Sequence, residues 1–148
     1  MSKIDAIDEQ ILQYLSLDAW QSSEILAKKI SVSSATVRRR IKKLVKDGIL
    51  HVGAFVDPVK IGQALGAVIA LGVPHNKIDT VAQHLAERHE VKWVSSTTGR
   101  YDIIVFLRLA STDELANFIQ NELPKLEAVR DSETFICLRI HKGYYTQL

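Results

Sequence analysis

The chain reads as an α+β protein: an N-terminal helix-turn-helix domain, with or without a wing, followed by a ferredoxin-like βαββαβ domain. Three observations carry this. Residues 1–47 contain neither glycine nor proline, whereas Gly48, Gly53, Pro58, Gly62 and Gly66 crowd the short stretch that follows. Residues 33–47 hold six Lys/Arg against Asp47 alone. Beyond residue 63 the apolar pattern alternates between strand-like and helix-like periods in the order βαββαβ. The expected division is a helix-turn-helix domain over 1–50, a linker with an extended segment over 51–62, and the βαββαβ domain over 63–148.

In the first domain, Ile4, Ile7, Ile11, Leu12 and Leu15 recur at helical spacing, with Ser2 as the expected N-cap and Asp5, Asp8 and Glu9 near the positive end of the dipole. A second helix follows Ser22 or Ser23 and turns Ile25, Leu26 and Ile30 inward. Trp20, between these helices, is expected in the core. Ile30-Ser31-Val32 has room only for a tight turn. Ser33 or Ser34 then caps a third helix that runs to about Lys46 and is stopped by Gly48. At about 100° per residue, Val37, Ile41, Leu44 and Val45 form its apolar stripe, and Thr36, Arg39, Lys43 and Lys46 lie opposite, beside Lys42. Arg38 and Arg40 flank the stripe. A solvated helix ordinarily mixes signs, because acid–base pairs one turn apart help and like charges repel. Here no acid interrupts 33–46, so one face suits a core and the other suits phosphates.

In the second domain, the run Ala64–Val73 is apolar at odd and even positions alike and reads as a strand buried on both faces. Asn76 is expected to cap a helix whose Ile78, Val81, Ala82, Leu85 and His89 share a face. Val91–Thr98 and Tyr101–Leu109 read as a hairpin turning at Gly99-Arg100. Ser111 and Glu114 form a capping box for a helix burying Leu115, Phe118, Ile119 and Leu123 and ending at Pro124. Thr134–Ile140 closes the sheet. One helix layer covers one sheet face only, so the second apolar face calls for a second subunit.

Composition narrows the class. The chain has 148 residues, 47% hydrophobic and 24% charged, and a net charge of +2. That balance is globular, with no stretch near the roughly 18 apolar residues of a membrane helix. The opening Met1-Ser2-Lys3-Ile4-Asp5 lacks a signal peptide's apolar core, and a single cysteine, Cys137, forms no internal bridge. The expectation is a soluble cytoplasmic protein, nucleoid-associated and without a membrane partner.

Taken together, these residues resemble the Lrp/AsnC family, the leucine-responsive or feast/famine transcription regulators. Asp5-x-x-Asp8-x-x-Ile11-Leu12 resembles the family's first helix. Leu26 through Leu44 resembles its helix-turn-helix, followed by Asp47-Gly48-Ile49-Leu50. Val56-Asp57-Pro58 and Ile61-Gly62 resemble the link, and Thr98-Gly99-Arg100-Tyr101-Asp102 resembles the turn of the effector-binding domain. Two departures stand out: Ser31 replaces a frequent glycine in the helix-turn-helix, and Asp18-Ala19-Trp20-Gln21 replaces a Gly/Arg-containing segment.

The resemblance implies a sequence-specific regulator that binds double-stranded DNA through a major groove. Ser34, Thr36 and Arg39 would meet base edges, and Arg38, Arg40, Lys42, Lys43 and Lys46 would neutralise phosphates. Arg38 and Arg40 have a second reading, in which each lays its stem along the core edge. The resemblance also implies homodimers, assembled further into rings such as an octamer, with an amino-acid effector between subunits. Gly99, Arg100, Tyr101 and Asp102 would form that site, donors holding the carboxylate and Asp102 accepting from the ammonium. The turn could equally be purely structural.

No cofactor, metal or catalytic residue is expected. Nucleophile-elbow, phosphate-loop and zinc spacings are absent. His84 and His89 stand five apart, off one metal-binding face, and Cys137 reads as a buried inert thiol. A ligand sensor that never touches DNA would suit the second domain alone, but leaves the basic helix unexplained.

Overall fold

A computed structural model describes residues 4–54 and 56–141. The chain forms two compact units, Met1–Ala54 and Phe55–Leu148.

The first unit contains α1 (Ala6–Leu17), α2 (Ser23–Ile30) and α3 (Ser34–Lys46). Ile11, Leu26, Ala27, Ile30, Val37 and Leu44 form its core, with Ile7, Leu12, Tyr14, Leu15 and Ile41 packed against them. The cap of α1 is Asp5: its Oδ1 accepts from the N–H groups of Ile7 and Asp8, both at 3.0 Å, while Asp8 reaches back to the Asp5 N–H. The helix thus begins beyond Ile4, which is exposed, and the expected cap Ser2 lies outside the described residues.

Three short helices enclose a narrow core, which corrects three burial expectations. Ile25 and Val45 sit at the edges of their stripes and are about half exposed. Trp20 is 95% exposed. Asp18 Oδ1 accepts from the Trp20 N–H at 2.9 Å, and Gln21 Nε2 donates to the Tyr14 carbonyl at 3.1 Å, so Tyr14 and Gln21 occupy the junction and the indole points outward. After α3, Gly48 at φ +68° reverses the chain and the Ile49 N–H returns to the Leu44 carbonyl at 2.9 Å. Among the described residues no strand follows before Leu65, so no wing is formed there.

The second unit contains β1 (Leu65–Gly72), α4 (Ile78–Ala86), β2 (Val91–Ser96), β3 (Ile103–Leu109), α5 (Thr112–Asn117) and β4 (Asp131–Cys137). The sheet order is β2-β3-β1-β4, with every neighbouring pair antiparallel. Directly opposed residues share a face. On one face Ala67, Ile69, Leu71, Ile103, Val105 and Leu107 pack with Val81, Leu85, Leu115, Phe118 and Leu123. On the other, Val68 stands opposite Phe106 and Phe135, and Phe106 opposite Trp93. Trp93 and Phe135 are about half exposed, so this face leaves aromatic surface in water.

Several local expectations shift. Pro74 and a 3₁₀ turn at His75–Lys77 precede α4, and Asn76 makes no cap bond. That helix ends at Ala86, which leaves His89 in solvent. Ser111 caps α5 by accepting from the Glu114 N–H at 3.2 Å, but Glu114 reaches back to the Ala110 N–H, one residue earlier than a strict capping box. α5 continues as a π-helical turn at Phe118–Glu122 and a 3₁₀ turn at Leu123–Lys125. β4 starts and ends three residues before the expected Thr134–Ile140, because Asp131 already pairs with Gly72. A Cβ on Gly72 would meet the Asp131 carboxylate, so any other residue there obliges that exposed side chain to move. Cys137 is partly accessible rather than buried.

A charged network ties the far end of the sheet to the helices. Glu90 is buried, Arg88 grips it at 2.8 Å and also reaches Glu122 at 2.7 Å. Burial pushes the Glu90 carboxyl up, but backbone hydrogen bonding and the Arg88 guanidinium more than offset that, so it titrates below the usual range.

Candidate nucleic-acid interface and ligand turn

The turn into α3 is unusual in one residue. Ser31 adopts φ 58°, ψ 44°, a left-handed conformation that glycine takes without strain and serine does not. Its N–H and that of Val32 both return to the Ala27 carbonyl, closing α2. Ser33 then caps α3, accepting from the Thr36 N–H at 3.1 Å, and its hydroxyl also bonds the Thr36 hydroxyl at 2.8 Å. Ser34 and Thr36 thus lie on the first turn of α3 and are both partly exposed, with the Thr36 side chain already tethered to the cap.

The six cations of α3 fall into two sets. Arg39, Lys42, Lys43 and Lys46 are exposed, and none has an ion-pair partner among the described residues. Arg38 is paired with Glu24 on α2. Arg40 is drawn inward: its Nη1 lies 2.6 Å from Asp5 Oδ2 and 3.0 Å from Asp8 Oδ1, and its side chain is 20% exposed. The edge-lying alternative for Arg40 is therefore the one that the geometry supports, and α1 rather than solvent receives its charge. Asp5, Asp8 and Glu24 are the residues that charge counting along 33–47 passed over. Each is remote in sequence from its partner.

In the second unit, residues 97–102 join β2 to β3 and form a longer turn than the two-residue hairpin at Gly99-Arg100. Gly99 takes φ +119°. The Thr97 N–H donates to the Asp102 carbonyl at 2.9 Å and the Thr97 hydroxyl to the Tyr101 carbonyl at 2.8 Å. Asp102 is a structural pivot. Its N–H donates to the Leu71 carbonyl at 2.9 Å, and its Oδ2 accepts from the Val73 N–H at 2.8 Å, with Arg130 Nη2 at 3.6 Å. Asp102, the expected ammonium acceptor, thus also has a structural bond to the residue that follows β1. Tyr101 donates its hydroxyl to Glu133 Oε2 at 2.8 Å, which pushes its phenol above the ordinary range. The Arg100 guanidinium lies 5.2 Å from the Tyr101 ring centroid, and Gly99 and Arg100 are both exposed. Thr97, Arg130 and Glu133 complete the cluster. Arg130 and Glu133 lie about thirty residues downstream, too far for local pattern to reveal. Among the described residues no His/Cys/Asp/Glu group is placed to hold a metal ion.

Two family profiles match consecutive parts of the chain: an AsnC-type helix-turn-helix domain over residues 4–45 and an Lrp/AsnC ligand-binding domain over 66–146. The chain belongs to the Lrp/AsnC family of transcriptional regulators. An uncharacterized helix-turn-helix transcriptional regulator of Pyrococcus furiosus is 36% identical over 146 residues, covering 98% of this chain and 99% of the relative. A second regulator, from Pyrococcus horikoshii, is 31% identical over 140 residues, covering 94% and 92%. Among solved structures, Escherichia coli AsnC superposes with a TM-score of 0.87 at 26% identity over 99% of both chains. A Neisseria meningitidis transcriptional regulator in complex with L-Met superposes at 0.86 and 22% identity, covering 99% and 96%, which shows the shared fold. As a member of this family the chain is a DNA-binding helix-turn-helix regulator with a ligand-binding domain. No helix among the described residues is long and apolar enough to cross a membrane.

Proposed function

We propose that this Lrp/AsnC regulator reads DNA through the outer face of α3, assembles through the open face of its sheet, and is modulated by a free amino acid held at the 97–102 turn. The DNA reading rests on the four exposed cations of α3 that have no internal partner. Arg39 grips a base edge, with Ser34 and Thr36 beside it, and Lys42, Lys43 and Lys46 meet phosphates. Arg38 contributes a phosphate contact only when it leaves Glu24.

The exposed aromatics Trp93 and Phe135, on the same side as Phe106, support a homodimer built sheet on sheet, and rings of such dimers follow when the ligand turns meet. The ligand reading is supported by the exposed residues Gly99 and Arg100, whose peptides and guanidinium offer donors, and by the Asp102 carboxylate beside them. That set offers both poles that an α-amino acid needs. The protein would act in the cytoplasm, on the nucleoid. Calorimetry against each standard amino acid tests the effector: one or more should bind, and Arg100→Ala should abolish that binding while DNA binding persists. A complete absence of binding removes the amino-acid effector. Unchanged binding by the variant moves the site away from this turn.

A further inference from the structure

We propose that Arg40 is a positioning residue for DNA reading: clamped between Asp5 and Asp8, it fixes the angle of α3 against α1 and so sets how accurately the first turn of α3 meets base edges.

The geometry assigns every carboxylate oxygen in the clamp a task. Asp5 Oδ1 caps α1, and Asp5 Oδ2 receives Arg40. Asp8 Oδ2 accepts from the Asp5 N–H, and Asp8 Oδ1 receives the same guanidinium nitrogen of Arg40. The cap that starts α1 and the middle of α3 are therefore one hydrogen-bonded unit, formed by residues 35 and 32 apart in sequence. The Asp8 side chain is 8% exposed, so its oxygens depend on partners that the protein itself supplies. If Arg40 swung out to a phosphate, Asp8 Oδ1 would be left buried without its partner. Hydrogen bonding to Arg40 also holds Asp5 below the usual carboxylate range, and the same bonds hold Arg40 above its own.

The apolar contacts of α3 do not define its angle alone. Val37 and Leu44 are its fully buried side chains, Ile41 is partly buried and Val45 is half exposed. A helix resting on so narrow a stripe can roll about it. Arg40 stands at the edge of that stripe, between Val37 and Leu44, where a fixed ion pair resists rolling. Arg39, its neighbour in sequence, is the candidate base-reading side chain, so a roll of α3 is felt there directly. This inference rests on the DNA-reading role of α3.

The experiment measures affinity of the full-length protein for two duplexes of equal length across a salt series. One duplex is recovered by in vitro selection from a random library with the unmodified protein, and the other is a scrambled version of it. Preference of the unmodified protein for the selected duplex reports the reading role of α3, and changes confined to the variants report the clamp. Arg40→Gln is expected to lower the selected-to-scrambled ratio by about tenfold, the equivalent of loosening one base contact. Its slope of log affinity against log salt should stay at the unmodified value. Asp5→Asn keeps an N-cap acceptor but loses the charge, so it should lower the ratio in the same direction. The double variant should lose less than the product of the two separate losses, because the clamp is already open. Asp5→Asn also serves if Arg40→Gln does not fold.

Two outcomes overturn the proposal. If Arg40 touches phosphate, Arg40→Gln flattens the slope by about 0.9 per protomer and weakens both duplexes equally. Asp5→Asn then tightens both. If the clamp only holds the fold, the melting temperature falls while ratio and slope keep their unmodified values at any temperature where the protein is folded.

Discussion

Lys43→Ala isolates the electrostatic part of DNA binding, and its effect can be worked from the charges on α3. Four cations, Arg39, Lys42, Lys43 and Lys46, are free of internal ion pairs among the described residues. With Arg39 assigned to a base edge, a dimer brings six of these charges to phosphates, and at about 0.9 counterions released per contact the slope of log affinity against log salt is about −5.4. Raising salt fourfold, from about 50 to about 200 mM, should then weaken binding by about 2 × 10³. Removing Lys43 from both protomers takes two contacts away, the slope becomes about −3.6, and the same change of salt costs only about 150-fold. The variant is therefore the weaker binder at low salt, and the two proteins converge by about tenfold across the series. Fluorescence anisotropy at several salt concentrations, on selected and scrambled duplexes alike, reads this directly. The loss should be the same for both duplexes, because a phosphate contact carries no sequence information. An unchanged slope, or a loss confined to the selected duplex, would refute the assignment of Lys43 to the phosphates.

The remaining predictions concern assembly, the turn before α3 and acid. Trp93→Asp places a charge on the open sheet face and should shift light scattering from dimer or larger towards monomer; an unaltered mass would mean that this face is not the interface. Ser31→Gly relieves a left-handed serine worth about 1 kcal/mol, partly offset by the greater freedom of glycine in the unfolded chain, so the first unit should melt slightly higher. A clear fall in melting temperature would show that the serine side chain is needed. Asp5, Glu90 and Glu122 all titrate below their ordinary values in the folded protein, with Arg40, Arg88 and Lys125 among the causes. Their contribution to stability is therefore complete above about pH 4.5 and lost as pH falls through the lower, folded values. Thermal melts between about pH 6 and pH 3 should show this loss, and Arg88→Ala should make it shallower; melting temperatures that do not change over that interval would contradict it.

The pattern of the sequence was sufficient wherever a decision is local. Ser33 caps α3, Gly48 ends it, and Val37 and Leu44 face inward, because caps and helical period act within a turn or two. The βαββαβ order follows from the same short-range periods. What could not be read lies at long range. Nothing near Asp102 announces that its carboxylate will accept from the Val73 N–H, 29 residues away, which lengthens the turn at the expense of the strands. The start of β4 depends on Gly72 accommodating Asp131, a contact between strands and not a run of apolar residues. Trp20, between two helices, reads as a core residue, but the small interior of a three-helix unit leaves it 95% exposed. For the proposed DNA face, counting charge singles out the helix but does not distinguish an outward lysine from an arginine committed to carboxylates.

The anchoring of Asp102 divides labour within the ligand turn. Its side chain joins the turn to the end of the central strand, so it belongs to the scaffold, whereas Gly99 and Arg100 are exposed. If the turn holds a ligand as proposed, Asp102 carries the rigidity and most of the recognition falls to its neighbours. Descendants of this sequence are free to vary position 100, and with it the chemistry of the captured molecule, without re-founding the sheet. Variation at position 102 has no such freedom. A directed search for altered ligand preference should therefore randomise 99–101 and leave 102 as it is.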